Sequence, residues 1–304
     1  QLQDINGIPD ILKMFESKNN EVKMAAVQAL TNFKNLGHHF FNQSFAKYRV
    51  IESLKTLFIT TRSKKIKSDI MKVFHNIHHE DVVPFLLENL KTNDPQILSN
   101  IIHVCGLFKD LNSAYYLEKY LQYPHPRVRS SAIIALWNFP VLRLKCLIQL
   151  SKMLEDKGEE IKISAIYAIG EIKAIQEIPR LEKLLETNSP ILRSHVLIAL
   201  IKLGQIKQIP NLINLILSSD HYISETCQKL IKKLENDLSQ KIHNFLKQEV
   251  AQKIHQVLKK ANSEILEDIP QKYLYELSRY YKLISEIKEE LKIEQEIEKR
   301  KLMQ

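Results

Sequence analysis

Residues 163–185 read ISAIYAIGEIKAIQEIPRLEKLL, and at an offset of 31 residues the chain reads HVLIALIKLGQIKQIPNLINLI. Stepping out from Ile161 shows that this is one template written repeatedly. Reference positions fall at Val22, Ile66, Ile97, Val128, Ile161, Leu192 and Ile223, with spacings of 44, 31, 31, 33, 31 and 31. Four residues after each stand Ala26, Ile70, Ile101, Ala132, Ala165, Val196 and Cys227. The columns seven and eight residues on run from Ala29 and Leu30 to Leu230 and Ile231 and are apolar throughout. Apolar residues at i, i+4, i+7 and i+8 lie on one face of a helix, so seven helices share one buried pattern.

Each of these helices has a marked start. Three residues before the reference stand Asn19, Ser63, Asp94, His125, Gly158, Ser189 and Asp220. Five of the seven are Asn, Ser or Asp, whose side-chain oxygens accept from the free N–H groups of a first turn. Thirteen residues before the reference, Pro9, Pro84, Pro179 and Pro210 suit the first turn of a preceding helix. The unit is therefore a helical hairpin with a period near 31 residues. Such a hairpin cannot bury its apolar face alone and must stack on its neighbours, which makes an α-solenoid.

The pattern resembles HEAT repeats of the short bacterial kind first noted in phycobilisome lyases, whose second helix reads V-R-x-x-A-x-x-A-L. Val128, Arg129, Ala132, Ala135 and Leu136 match it, echoed at Ile161-Lys162 and Leu192-Arg193. The resemblance covers about residues 7 to 235. It implies an all-α, right-handed solenoid of about seven HEAT-type hairpins.

Two segments depart from the template. About 34–50 (KNLGHHFFNQSFAKYRV from Lys34) is an insertion carrying Phe40, Phe41, Phe45 and Tyr48. It reads either as a cover over the edge between the first two hairpins or as a protein-contact protrusion, since exposed aromatics serve as interface anchors. Residues 236–304 keep helical spacing at Ile242, Phe245, Leu246 and Val250, then end in a highly charged helix. They are expected to cap the array, because a terminal unit needs a polar outer face. The expected division is thus a 1–235 array and a 236–304 cap.

The net charge is +9, and from Asn236 onward 13 Lys and Arg face 12 Asp and Glu, so nearly all the excess lies in the array. Part of it is periodic: Lys23, Lys67, Arg129, Lys162 and Arg193 each follow a reference position and should form a stripe along the second helices. One reading is a basic groove for nucleic acid or an acidic protein segment. The other is structural: the resemblance implies that the equivalent arginine pairs with an acid of the adjacent repeat, and Asp94 and Asp220 are the clearest candidates here.

Nothing in the sequence assembles a catalytic, cofactor or metal site. His75, His78 and His79 sit where the second repeat's helix ends, without a further histidine or acid set to complete a metal shell. Cys105 and Cys227 fall in the apolar columns and read as small core residues, as does Cys146. No apolar run approaches the roughly 20 residues that span a bilayer. A chain beginning at Gln1 without a charged-then-apolar leader is expected to be a piece of a larger protein.

These features lead to an expected function: a non-enzymatic, cytoplasmic scaffold or adaptor that presents a helical surface to a protein or peptide. Tethering through an upstream domain fits that expectation. Nucleic-acid binding through the basic stripe is the second reading. A HEAT-type lyase or DNA glycosylase is a third with less support, since Trp137 has no evident acidic companion.

Overall fold

The structure, a computed structural model, describes residues 8–31, 50–217 and 220–231, together with nine residues between Ile242 and Gln256. Among the described residues there is no strand. Within these residues the helices pair as seven hairpins. Repeat 1 is α1 (Ile8–Lys13) and α2 (Asn20–Thr31); repeat 2 is α3 (Val50–Thr60) and α4 (Lys64–Ile77). Repeat 3 is α5 (Val82–Glu88) and α6 (Pro95–Leu107), and repeat 4 is α7 (Leu111–Glu118) and α8 (Pro126–Leu136). Repeat 5 is α9 (Arg143–Glu155) and α10 (Glu159–Glu171), repeat 6 is α11 (Ile178–Leu184) and α12 (Pro190–Lys202), and repeat 7 is α13 (Ile209–Ile216) and α14 (His221–Ile231). The chain forms two compact units, 1–172 and 173–304.

The marked helix starts are the observed ones. Asn19 accepts from the Glu21 amide at 2.8 Å, Ser63 from Ile66 at 3.3 Å and Asp94 from Ile97 at 3.1 Å. Ser189 accepts from Leu192 at 3.2 Å and Asp220 from Tyr222 at 2.9 Å. His125 performs the same role through Nδ1, which accepts from the Arg127 amide at 3.3 Å. Each bond satisfies a first-turn donor that would otherwise stay unpaired.

In the first unit the second helices pack side by side, α2 on α4, α4 on α6, α6 on α8 and α8 on α10. The buried columns form these seams. Every residue from Ala26 to Cys227 in the i+4 column is buried, as is every residue from Leu30 to Ile231 in the i+8 column. Each fully buried Ile or Leu contributes about 1.5–3 kcal/mol, so the template specifies most of the core. Seams rich in alanine bring backbones close: a Cβ built on Gly106 of α6 would lie 2.5 Å from the Ala135 Cα of α8.

In the second unit α12 packs on α13 and α14. Ile242 and Leu246 complete its core beside Leu212, Ile216 and Cys227. Most of the expected cap, and all of Phe40, Phe41, Phe45 and Tyr48, lie outside the described residues.

Candidate functional site

The five basic residues of the stripe all occupy the first turns of second helices and are half-buried. A cation there opposes the positive end of the helix dipole, so its head group needs compensation. The arginines find it in their own repeats. Arg129 Nη1 donates to the carbonyls of Tyr123 at 3.1 Å and Pro124 at 3.2 Å, while Arg193 Nη2 donates to the Thr187 carbonyl at 2.5 Å. Both guanidinium groups thus fold back onto the loop that joins the two helices of their hairpin. Their Nε atoms are buried without a hydrogen-bond partner. Lys67 lies with Nζ 5.0 Å from the centroid of the Phe58 ring of α3, again within its own repeat. Lys23 and Lys162 complete the set in α2 and α10.

An acid-to-base link between repeats does form, at Asp94, with a different lysine. Asp94 Oδ1 caps α6, and Oδ2 receives Lys64 Nζ of α4 at 2.6 Å. The Lys64 ammonium and then the Ile97 amide hold the Asp94 carboxyl below the usual carboxylate range. Asp220 caps α14 through the Tyr222 and Ile223 amides.

The residues considered for chemistry are occupied in packing. His75 of α4 stacks on His103 of α6, with ring centroids 5.7 Å apart, and His78 stacks on Phe108 at 4.7 Å. Burial pushes both His75 and His103 down, and each is lowered further by a neighbouring histidine, His78 and His75 respectively. Among the described residues no group of three His, Cys, Asp or Glu side chains is placed to hold a metal. Burial raises the Cys105 and Cys146 thiols to about 12 and that of Cys227 to about 11, so all three are neutral at ordinary pH. Trp137 ends α8, where Arg143 stacks over its ring at 5.3 Å and donates from Nε to its carbonyl at 3.0 Å.

One surface column escaped the sequence reading. Seventeen residues before the reference, Leu111 and Leu144 in the first unit are 74% and 69% exposed. Ile175 and Ile206 take the same place in repeats 6 and 7, at 63% and 44%. The signal was available, since aligning the first helices on the reference brings these residues into register.

Stacked, capped helical hairpins with a shared buried face define the protein as an α-solenoid. The chain belongs to the HEAT repeats family, whose sequence profile matches residues 51–137 and 148–232. Among solved structures it is similar to the complex of CpcE and CpcF of phycocyanin lyase from Nostoc, at 14% identity over 78% of this chain and 94% of that one, with a TM-score of 0.44. It is similar also to Kap121p bound to Nup53p, at 13% identity over 86% of this chain and 32% of that one, with a TM-score of 0.48. Human deoxyhypusine hydroxylase gives 13% identity over 78% of this chain and 96% of that one, with a TM-score of 0.35. No curated protein matches the sequence. No described helix is long and apolar enough to cross a membrane.

Proposed function

We propose that the protein is a non-catalytic scaffold, working in the cytoplasm, that binds a protein or peptide along its second helices. The observation that carries this reading is the side-by-side packing of α2, α4, α6, α8 and α10 in the first unit. Their inner columns are consumed in the core, and the intervening positions are left to form one repeated surface on a rigid base. Lys72 belongs to that surface, as does Tyr167, which is 51% exposed. Long shallow surfaces of this kind suit extended partners, because each repeat adds a similar contact.

Nucleic acid is the reading that the stripe's lysines invite, yet each of its two arginines commits one Nη to loop carbonyls. That arrangement leaves these arginines fewer free donors for phosphates and favours a protein partner. A photo-crosslinking residue at position 72 or 167, introduced into the full chain in cells, discriminates the two. Protein adducts that survive nuclease treatment are expected. Adducts that vanish with nuclease would replace the scaffold reading with a nucleic-acid one.

A further inference from the structure

The first-helix side of the first unit carries a second surface, built from two rows at equivalent positions. On α7 and the turn that follows it, Leu111, Tyr115 and Lys119 are spaced four apart; on α9, Leu144, Ile148 and Lys152 repeat the arrangement. Residues four apart share a helix face, so each row runs from two apolar side chains to one ammonium. All six are exposed, Tyr115 by 77% and Ile148 by 50%. The rows belong together because Lys145 of α9 bonds Glu118 of α7 between them. Tyr115 stands one turn before Glu118 and Ile148 one turn after Lys145, so the two apolar side chains flank the bridge on the helix faces that carry it.

Exposed apolar residues scattered singly need no explanation, whereas a matched pair of rows on neighbouring helices is a contiguous patch. The charge pattern says what covers it. Asp110 is committed to capping α7 through the Ser113 amide, and Glu118 is committed to Lys145. Lys119, over the Tyr120 ring, and Lys152, with Glu155 one turn beyond it, therefore give the apolar rows a cationic flank. We propose that this surface docks an amphipathic helix of a partner protein, whose apolar face meets Leu111, Tyr115, Leu144 and Ile148 and whose acidic residues meet Lys119 and Lys152. A lipid surface fits less well: the Lys145–Glu118 pair sits inside the apolar patch and would be pressed into a medium that offers it no further hydrogen bonds. A second copy of the chain would bring its own lysines against these. This docking surface is separate from the second-helix surface and stands or falls independently of it.

The test uses the full chain as bait for a random peptide library of about 16 residues, roughly four helical turns. Selected peptides are then titrated against wild type, Tyr115→Ser/Ile148→Ser and Lys119→Glu/Lys152→Glu. The expected result is peptides with apolar residues at helical spacing and Asp or Glu toward one end, which bind each double variant about tenfold or more weakly. Peptides that bind both variants as well as wild type, that are basic, or that are not selected at all overturn the proposal. The same chains are tested on phosphatidylcholine vesicles doped with phosphatidylserine and by sedimentation. Vesicle binding or self-association that is lost in the Tyr115→Ser/Ile148→Ser variant would assign the surface to a membrane or to a second copy, and would also overturn it.

Discussion

Gly106 on α6 faces Ala135 on α8 so closely that a Cβ on the glycine would meet both the Cα and the Cβ of Ala135 at 2.5 Å. The obstacle includes backbone, so no rotamer change relieves it. Gly106→Ala should gain about 1 kcal/mol of helix propensity and lose more, since overpacking costs roughly 1–3 kcal/mol and the helices must separate. A net fall of about 1–2 kcal/mol is expected from urea unfolding. Adding Ala135→Gly should recover only part of it, because the Ala135 Cα remains in the way.

The turns after the second helices predict the opposite sign. His78, Lys109 and Lys173, each twelve residues after a reference position, adopt φ of 48°, 51° and 52°, and Gly204 takes the same place at 90°. Left-handed backbone costs a residue with a Cβ about 1 kcal/mol, which glycine avoids at the cost of a more flexible unfolded chain. Lys109→Gly and Lys173→Gly should each therefore stabilise by a few tenths to about 1 kcal/mol. Gly204→Ala should destabilise by a similar amount. Thermal melts of the three variants check the sign.

These two cases show where the sequence could be read and where it could not. The five Asn, Ser and Asp caps from Asn19 to Asp220 and the buried columns were legible because their role depends on residue type, an acceptor oxygen or an apolar side chain. The left-handed turns were hidden because only Gly204 announces one, while lysine at 109 and 173 looks like any surface residue. Leu111 and Leu144 were hidden for another reason: an exposed leucine and a buried one are written alike. The stripe showed which residues are basic, but the partners of Arg129 and Arg193 are carbonyls, which carry no residue identity. Likewise Lys64 rather than Lys67 reaches Asp94, since the cap fixes one carboxylate oxygen and leaves the other toward α4.

Asp94 gives stability a defined pH dependence. Lys64 and the α6 amides hold its carboxyl below the unfolded value of about 3.9. A depressed carboxylate stabilises the fold above the unfolded value and loses that contribution as pH falls through the folded one. Asp94→Ala should cost about 0.5–2 kcal/mol at neutral pH, as the loss of a capping side chain does. The difference from wild type should shrink steadily below about pH 4. Lys64 is 74% exposed, so Lys64→Gln should cost less than about 1 kcal/mol and should do so chiefly at low salt. A wild-type advantage that persists undiminished at low pH would show that the charge of Asp94 is immaterial.

Arg129 separates a structural cation from a ligand-binding one. Its Nη1 holds the carbonyls of Tyr123 and Pro124, so the side chain ties the loop between α7 and α8 to the start of α8. Arg129→Met keeps most of the apolar stem and removes the donors. A charge-assisted bond to a partly buried carbonyl is worth about 1.5–3 kcal/mol, and partial exposure of this side chain places the expected loss near the lower end. Amide exchange should accelerate in residues 123–129 and leave α10 unchanged. The loss should vary little with salt, since short bonds to carbonyls are screened far less than separated charges. An Arg129→Met chain with unchanged stability and unchanged exchange would release this guanidinium from its structural role and return the basic stripe to the binding of anions.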